Sequence, residues 1–464
     1  MNTHTRGTRN AKRVLVLAVL AALLAAPAWA ADGDYEFDAA AGTIKKYTGW
    51  DTELTIPATI GGKPVKAIGE RAFEKAGLTA VTIPAGVTSI GSDAFAGNKL
   101  TSVTIPGSVT LIGGYAFEGN QLTEVVIPEG VEEIAGNAFK NNGKLAKISL
   151  PSTLRLIGQD IYGEYTQAPA TVILAANINN VEERAFGYAV YYNYIANDRK
   201  AGTYTKSMAC AEKKAEDFTY YETQYGAVIT GWKGGATRVR VPAELGGAPV
   251  KGVGGGGVFS RERLAAVQLP DTLSFIGSNS FSNNELSSVT LPPGLTYIGN
   301  RAFSSNRIAA LTIPAGVTYI GMGAFSSNSI TTLSIPGSVK TIETEAFDFN
   351  KLTSLTIERG VARIETSAFS RSQLTSLTIP QGVTYIGKNV FGVLKPVVTI
   401  PATVTRMGGI PVSGDEGCAF VIQKDMELER EESVSYGNVK TLKAGRYTYT
   451  KTNYGSYHWL YSAR

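Results

Sequence analysis

The chain has little of the chemistry on which most enzymes and metal sites depend. It contains two histidines and two cysteines in 464 residues. His4 lies in a segment that we expect to be removed, which leaves His458 alone. A closed zinc site needs four such ligands, and a Ser-His-Asp or Cys-His arrangement would have to use this one histidine. We therefore predict that the protein is not an enzyme and that it has no metal site, no catalytic residues and no cofactor.

Two short patterns resemble functional motifs, and a structural interpretation is favoured for each. Residues 254–257 are all glycine but lack the Gly-Lys-Ser or Gly-Lys-Thr of a phosphate-binding loop. An acidic run near the C-terminus is better explained as the solvated edge of a cap than as a metal site; it comprises Asp425, Glu427, Glu429, Glu431 and Glu432. The two cysteines, Cys210 and Cys418, could pair in an oxidising compartment or stay free.

Long hydrophobic runs are missing from most of the chain. After residue 30, no stretch approaches the 18 or so apolar residues of a membrane-spanning helix. Before it, a basic segment precedes the apolar run 14–26, and residues 28–30 read Ala-Trp-Ala. This pattern predicts a secretory signal peptide at residues 1–30, cleaved after Ala30. We therefore expect a secreted, cell-surface or periplasmic protein without a transmembrane span.

An excess of charge of one sign is also missing. Lys and Arg number 44 against 39 acidic residues, and four of the 44 lie in the predicted signal peptide. The mature chain is therefore almost neutral. Because nucleic-acid binding depends on basic surface, the composition gives no electrostatic case for a nucleic-acid partner.

What the sequence has is a repeat. One aromatic position recurs at intervals of 22 residues in two series: Phe73, Phe95, Phe117 and Phe139, then Phe259, Phe281, Phe303, Phe325, Phe347, Phe369 and Phe391. A period between 20 and 29 residues is typical of a solenoid, in which each copy forms one coil stacked on the next.

The copy at residues 308–328 indicates what one coil looks like. Leu311 to Ile313 suit a short strand, and Pro314 ends it because proline has no N–H to donate. A short helical turn at Ala324 and Phe325 could close the coil. One further position is asparagine, and we predict that its amides bond the corner backbones of adjacent coils; these residues are Asn98, Asn120, Asn284, Asn306, Asn328 and Asn350.

The pattern L-T-x-L-x-I-P-x-G-V-x-x-I-G-x-x-A-F-x-x-N resembles the leucine-rich repeats of BspA-like (treponemal-type) bacterial surface proteins. It covers roughly residues 52–410 apart from a middle cap, and it uses Asn but no Cys near the repeat end. The resemblance implies a curved solenoid and, for several members, binding of host matrix proteins or of other bacteria. It does not imply an enzyme.

Both halves of the chain have the same start, coils and end. Each opens with Thr-Gly-Trp (48–50 and 230–232) and ends with a similar Tyr- and Thr-rich segment (201–206 and 444–451). We therefore predict an all-β-rich leucine-rich repeat solenoid of two tandem capped units, with short parallel strands and short helical turns. The first unit spans 31–206, a linker 207–217, and the second unit, with a C-terminal β cap, 218–464.

Two surfaces of the second unit are candidate partner-binding sites. A hydroxyl-rich strand face contains Thr290, Thr312, Ser334, Thr356 and Thr378, which exposed strand propensity also explains. An aromatic stripe shares one repeat position and contains Phe275, Tyr297, Tyr319, Arg363 and Tyr385. Stacking between coils explains this stripe well, although aromatic residues with arginine also suit a partner's hot spot.

The leading hypothesis is an exported, adhesin-like module that binds a protein or glycan macromolecule of a host or of other cells. Export, the repeats and the family resemblance motivate it. The alternative is a periplasmic or envelope scaffold that binds the cell's own proteins or glycans. An enzyme of the wall or a glycan hydrolase is a third hypothesis, and the scarcity of histidine and cysteine weighs against it.

Overall fold

The computed structural model describes residues 32–158, 161–162, 171–175, 178, 188–205, 210–215, 217–254, 256–374, 376–391, 398–411, 419–434, 437–451 and 457–462. The predicted signal peptide and Cys418 lie outside the described residues, and with Cys418 so does the possible pairing of the two cysteines.

The repeats form a parallel β-solenoid of stacked coils, which confirms the predicted fold class. In each coil a strand of two residues pairs in parallel with the same position of the next coil, as Ile298 does with Ile320. A pair of coils is thus joined through backbone hydrogen bonds, and the isoleucines stack in the interior. Ile298 and Ile320 are both fully buried.

The chain divides into two units, which we call unit 1 (residues up to Gly187, and Ala201–Lys206) and unit 2 (Tyr188–Lys200, and Ser207–Arg464). In unit 1, a 3-10 turn (Asp32–Asp34) precedes the strands β1 (Tyr35–Asp38), β2 (Thr43–Tyr47), β3 (Glu53–Thr55), β4 (Thr59–Ile60), β5 (Lys63–Pro64), β6 (Ala67–Ile68), β7 (Ala80–Thr82), β8 (Ser89–Ile90), β9 (Leu111–Ile112), β10 (Glu124–Val126), β11 (Glu133–Ile134), β12 (Lys147–Leu150), β13 (Leu156–Ile157), β14 (Thr171–Leu174) and β15 (Gly202–Thr205).

Unit 1 has two main sheets, with strand orders β1-β2-β6-β8-β9-β11-β13 and β10-β12-β14-β15. The pairs β3-β7 and β4-β5 are separate. Within the two main sheets, the first strand pair, β1-β2, and the last, β14-β15, are antiparallel, whereas the strands between them pair in parallel. These antiparallel pairs cap the coils.

Unit 2 contains helix α1 (Tyr188–Ala196) and the strands β16 (Cys210–Ala215), β17 (Phe218–Thr223), β18 (Gly226–Trp232), β19 (Arg238–Arg240), β20 (Glu244–Leu245), β21 (Ala248–Val253), β22 (Ala266–Gln268), β23 (Phe275–Ile276), β24 (Tyr297–Ile298), β25 (Tyr319–Ile320), β26 (Thr332–Ile335), β27 (Thr341–Ile342), β28 (Ser354–Ile357), β29 (Arg363–Ile364), β30 (Ser376–Thr378), β31 (Tyr385–Ile386), β32 (Val398–Ile400), β33 (Arg406–Met407), β34 (Ala419–Ile422), β35 (Met426–Val434), β36 (Gly437–Leu442), β37 (Gly445–Lys451) and β38 (Tyr457–Ser462).

Most strands of unit 2 belong to one sheet that begins with the antiparallel strands β16-β17-β18 and ends with β34 to β38. His458, the one histidine expected in the mature chain, lies in β38 opposite Thr450 of β37. The separate sheet β26-β28-β30 and the pair β19-β22 lie on another side of the coil. A capping hairpin therefore begins the unit, and antiparallel strands finish it.

The start of unit 2 differs from the predicted boundaries. Residues 207–217, which we interpreted as a linker, include β16, and β16 pairs along its whole length with β17. Helix α1, which we placed in the first unit, belongs to unit 2 and packs against β16, β17 and β18. Tyr192 of the helix stacks on Tyr221 at 4.5 Å between ring centroids.

The recurring phenylalanines form the core, as predicted. Their rings are fully or almost fully buried and stack nearly parallel on the rings of the next coil. The ring centroids of Phe303 and Phe325, for example, are 5.3 Å apart with 6° between the planes. Each coil therefore completes the core of its neighbour, which explains why the ring recurs in every copy.

The segment before each phenylalanine is a turn rather than the short helical turn that we expected. Arg301, two residues before Phe303, has a left-handed backbone (φ 53°), which a right-handed helix cannot contain. Nearby, Gly321 packs tightly on the preceding coil, because a Cβ atom there would lie 2.6 Å from the backbone nitrogen of Asn300. The turn thus depends on close backbone contact.

The two Thr-Gly-Trp segments are not structurally equivalent. Ile44 pairs with Ile68 at the start of unit 1, as Ile229 pairs with Val253 in unit 2. This register makes Tyr47, not Trp50, the counterpart of Trp232. The centroids of the Tyr47 and Phe73 rings are 5.4 Å apart, as are those of Trp232 and Phe259. Trp50 is 93% exposed.

Candidate functional site

One side of unit 2 carries a continuous row of hydroxyl groups, which we call the hydroxyl face: Thr290, Thr312, Ser334, Thr356 and Thr378. All of these side chains are exposed. In β26, β28 and β30, Ser334 pairs with Thr356, and Thr356 pairs with Thr378. The strand period of two explains this exposure, because the neighbouring leucines, such as Leu355, point into the core.

The hydroxyl face can act as a rigid array of hydrogen-bonding groups. Adjacent members of a parallel ladder lie about 4.8 Å apart. The backbones of Ser334, Thr356 and Thr378 lie in strands that pair with the next coil. A hydroxyl both donates and accepts, so the row can meet either kind of group on a partner. It contains no charged residue, which favours an uncharged or mixed polar partner surface.

The aromatic stripe lies mostly inside unit 2. Phe275, Tyr319 and Tyr385 are 3%, 0% and 6% exposed, and Tyr297 is half-buried. The rings of Tyr297 and Tyr319 stack at 4.9 Å between centroids. Stacking between coils, one of the two explanations that the sequence left open, is therefore present in the stripe.

Arg199 covers part of this stripe, a contact that no sequence pattern indicated. Its guanidinium carbon lies 4.4 Å from the centroid of the Tyr297 ring, and Nη2 lies 3.4 Å from Oγ1 of Thr318. Arg199 is 3% exposed, and burial lowers the pKa of its guanidinium from the usual value. Because Arg199 lies outside every repeat, no periodic signal could place it.

Arg363, the remaining member of the stripe, is also held within unit 2. Its guanidinium carbon lies 4.1 Å from the centroid of the Tyr385 ring, and Nε donates to Oε1 of Glu365 at 2.9 Å. Arg363 and Tyr385 pair directly across adjacent coils. The stripe is thus a set of stacked side chains with contacts of its own.

The family of the chain follows from its repeats. Residues 66–193 and 255–372 match the sequence model of the BspA type leucine rich repeat region, in six copies. The chain belongs to this family. BspA-type repeats are generally binding scaffolds rather than enzymes, and the solenoid described above is the fold on which they are built.

Several solved bacterial proteins are similar to this BspA-type chain. A leucine-rich repeat protein of Bacteroides ovatus is 19% identical over 80% of this chain and 79% of its own, with a TM-score of 0.31. T. pallidum leucine rich repeat protein is 24% identical over 36% of this chain and 92% of its own, with a TM-score of 0.30. A leucine rich cell surface protein of Faecalibacterium prausnitzii is 20% identical over 83% and 95%, with a TM-score of 0.29. No curated protein matches.

The described part of this BspA-type chain holds no group of three or more His, Cys, Asp or Glu side chains that could bind a metal ion. Within the same residues, no helix is long and apolar enough to cross a membrane. The side chains of the hydroxyl face are exposed, whereas those of the aromatic stripe are mostly buried, so the hydroxyl face is the more accessible of the two surfaces.

Proposed function

We propose that the protein is an exported, adhesin-like module that binds host matrix proteins or other cells through the hydroxyl face of unit 2. The observation that carries this proposal is the face itself: five exposed hydroxyl side chains in consecutive coils, three of them on strands that pair with the neighbouring coils. Such a surface needs little ordering when a partner binds, which favours affinity.

Membership of the BspA-type family supports the proposal, as does the secretory pattern at residues 1–30. The aromatic stripe is a secondary part of the proposed site. Only Tyr297 and Arg363 retain exposed surface there, since Phe275, Tyr319 and Tyr385 are buried.

The test places bulky charge on the hydroxyl face of the full-length protein. Thr312→Arg combined with Thr356→Arg should abolish binding to a responsive member of a panel of purified matrix proteins, because two large side chains would hold the partner away from the strands. The matched control is Thr82→Arg with Val126→Arg, which adds the same charge to exposed strand positions of unit 1. Equal loss in both variants, or unchanged binding in the first, would contradict the proposal.

Location is tested separately by treating intact cells with a surface protease. Loss of the protein from cells whose envelope has not been permeabilised supports a surface adhesin. Survival of the protein until the envelope is opened would instead favour the envelope scaffold that binds the cell's own proteins or glycans.

A further inference from the structure

A second surface of unit 2 is basic. It follows the corner of the coils on which the buried asparagines lie, and we call it the basic ridge: Arg261, Arg263, Arg307, Lys351 and Arg371. All five residues are exposed. Each stands within one residue of a buried asparagine or of its counterpart in the same repeat position. The ridge is distinct from the hydroxyl face, whose side chains carry no charge.

The corner holds these side chains at regular spacing. Asn306, just before Arg307, donates from Nδ2 to the carbonyl oxygens of Phe281 and Phe303. Asn350, just before Lys351, does the same for Phe325 and Phe347. Arg263, Arg307 and Lys351 occupy one repeat position in every second coil, so their Cα atoms should lie about 10 Å apart along the solenoid.

Three of the five cations of the ridge are not neutralised within the described part of the protein. Among the described residues, Arg261, Arg263 and Lys351 have no ion-pair partner. Arg307 pairs with Glu285 at 3.2 Å, and both side chains are largely exposed, so an anion can replace that contact at small cost. Two more acids lie at this corner: Glu262 is half-buried, and Asp348 is buried and pairs with Arg371. In unit 1, by contrast, Lys75 of the corresponding corner pairs with Glu74 at 3.0 Å.

Arg371 is part of a built platform. Its Nε donates to Oδ1 of Asp348 at 3.1 Å, its Nη2 also contacts that carboxylate, and Asp348 is 4% exposed. The guanidinium carbon lies 4.6 Å from the centroid of the Phe349 ring. Arg371 is therefore held in place with part of its guanidinium facing solvent, beside an exposed aromatic ring.

Phe349 is not required by the fold. It is 55% exposed and has a left-handed backbone (φ 58°), which costs a bulky L-residue about 1–2 kcal/mol. The preceding coils have Ser305 and Ser327 at this position. A strained, exposed phenylalanine in the middle of a basic ridge offers one apolar face to a ligand, with cations on both sides along the solenoid.

We propose that the basic ridge binds a linear anionic polysaccharide, carboxylated or sulfated, that lies along the solenoid. The cations meet its regularly spaced charges, and the Phe349 ring packs against the C–H face of a sugar. A polysaccharide fits better than a single-stranded nucleic acid, because binding of successive bases uses several aromatic side chains and the ridge exposes one. The proposal is independent of the hydroxyl face and of any protein partner.

The experiment uses the full-length protein and heparin as the probe, with neutral dextran of similar length as the uncharged comparison. The ridge variant combines Arg261→Gln, Arg263→Gln and Lys351→Gln, which leaves the buried Asp348–Arg371 contact intact. The control variant combines Lys233→Gln, Arg238→Gln and Arg240→Gln, which removes three exposed cations elsewhere in unit 2. Affinity is measured at several salt concentrations.

We expect the parent protein to bind heparin but not dextran, with affinity that falls as salt rises, since binding releases counterions. The affinity of the ridge variant for heparin should fall by at least about tenfold, and its salt dependence should be shallower. The control variant should match the parent. An equal loss of heparin affinity in the two variants would show that binding depends only on net charge, which would overturn the proposal. So would an unchanged ridge variant, or single-stranded DNA that competes as well as heparin.

The ring is tested by Phe349→Ser, which introduces the residue of the two preceding coils. Because Ser305 and Ser327 have the same left-handed backbone (φ 54° and 56°), this corner accommodates serine, and the variant should fold as the parent does and bind heparin more weakly. Unchanged affinity would remove Phe349 from the site.

Discussion

Arg199 lies with its guanidinium carbon 4.4 Å from the centroid of the Tyr297 ring, buried and without a carboxylate among its contacts in the described residues. A buried guanidinium is stabilised here by the π-face of a tyrosine and by the Thr318 hydroxyl. The contact joins the segment that follows helix α1 to the coils of unit 2, and it covers a ring that would otherwise be available to a partner.

Replacement of Arg199 by alanine should loosen helix α1. A desolvated cation–π contact contributes about 2 kcal/mol, so the free energy that opposes local opening of the helix should fall by about that amount. Hydrogen exchange of the amides of Tyr188–Ala196 should accelerate accordingly. Lys200→Ala, at the exposed neighbouring residue, is the control. Exchange that stays at the parent rate in Arg199→Ala would show that the contact does not anchor the helix.

Removal of one amide from the asparagine ladder should destabilise unit 2. Oδ1 of Asn328 accepts from the Ile308 N–H at 3.0 Å, and Nδ2 donates to the carbonyls of Phe303 and Phe325 at 2.9 and 3.1 Å. Asn328→Ala leaves the buried Ile308 N–H unpaired, at a cost of about 1–3 kcal/mol in the free energy of unfolding. Chemical denaturation measures this cost. The exposed Gln373→Ala should change it by less than about 0.5 kcal/mol.

Extension of the ladder should have the opposite effect. Ser372 occupies the next asparagine position, is 1% exposed, and its hydroxyl has no hydrogen-bond partner among the described residues. By the geometry of Asn350, an asparagine there would reach the Leu352 N–H and the carbonyls of Phe347 and Phe369. Ser372→Asn should therefore stabilise unit 2 by about 1–2 kcal/mol in chemical denaturation. Ser372→Ala should be nearly neutral, and a loss of stability in the asparagine variant would show that the corner cannot hold the larger amide.

The two tryptophans of the Thr-Gly-Trp segments should respond differently to alanine. Trp232→Ala removes a ring that packs on Phe259 and should lower the free energy of unfolding by about 2–4 kcal/mol. Trp50→Ala removes a ring that is 93% exposed and should change it by less than about 0.5 kcal/mol. Thermal or chemical unfolding of the two variants tests the register directly. Similar losses of stability in the two variants would show that Trp50 and Trp232 are equivalent, as the sequence suggests.

Alkaline pH should weaken the start of unit 1 through Tyr47. Burial and the hydrogen bond to Asp51 raise the pKa of Tyr47 to about 12, from 10.0. The folded state therefore keeps the phenol protonated where the unfolded chain already ionises it. This contribution to stability is fully present below pH 10 and is lost as pH rises towards 12. Denaturation midpoints at pH 8 and 11 should differ less in Tyr47→Phe than in the parent; equal differences would exclude the contribution.

The sequence allowed correct prediction of the recurring core rings and of the recurring corner amides. Phe303 and Phe325 are buried and stacked as expected, and the amide of Asn328 bonds the corner backbones of two coils. The sequence also identified the candidate side chains of the hydroxyl face, because strand alternation places Thr312 and Thr356 outward when the intervening leucines point inward. Their role in binding stays a prediction.

Features that do not repeat could not be predicted in this way. The equivalence of Tyr47 with Trp232 depends on strand register, which cannot be read from the two identical Thr-Gly-Trp sequences. The assignment of α1 and β16 to unit 2 depends on packing that local pattern does not encode. The left-handed backbone of Arg301 and Phe349 does recur in neighbouring coils, but it was missed because neither residue type signals it.

By itself, the sequence determined that this protein is a stack of like coils, since a core position recurring at a constant interval is satisfied only when each copy packs on the next. The tertiary structure alone decided that Arg199 covers Tyr297 and contacts Thr318, which is 119 residues away in the chain. Periodicity specifies the neighbours of a repeated residue, whereas a contact made once depends on where the rest of the chain has folded.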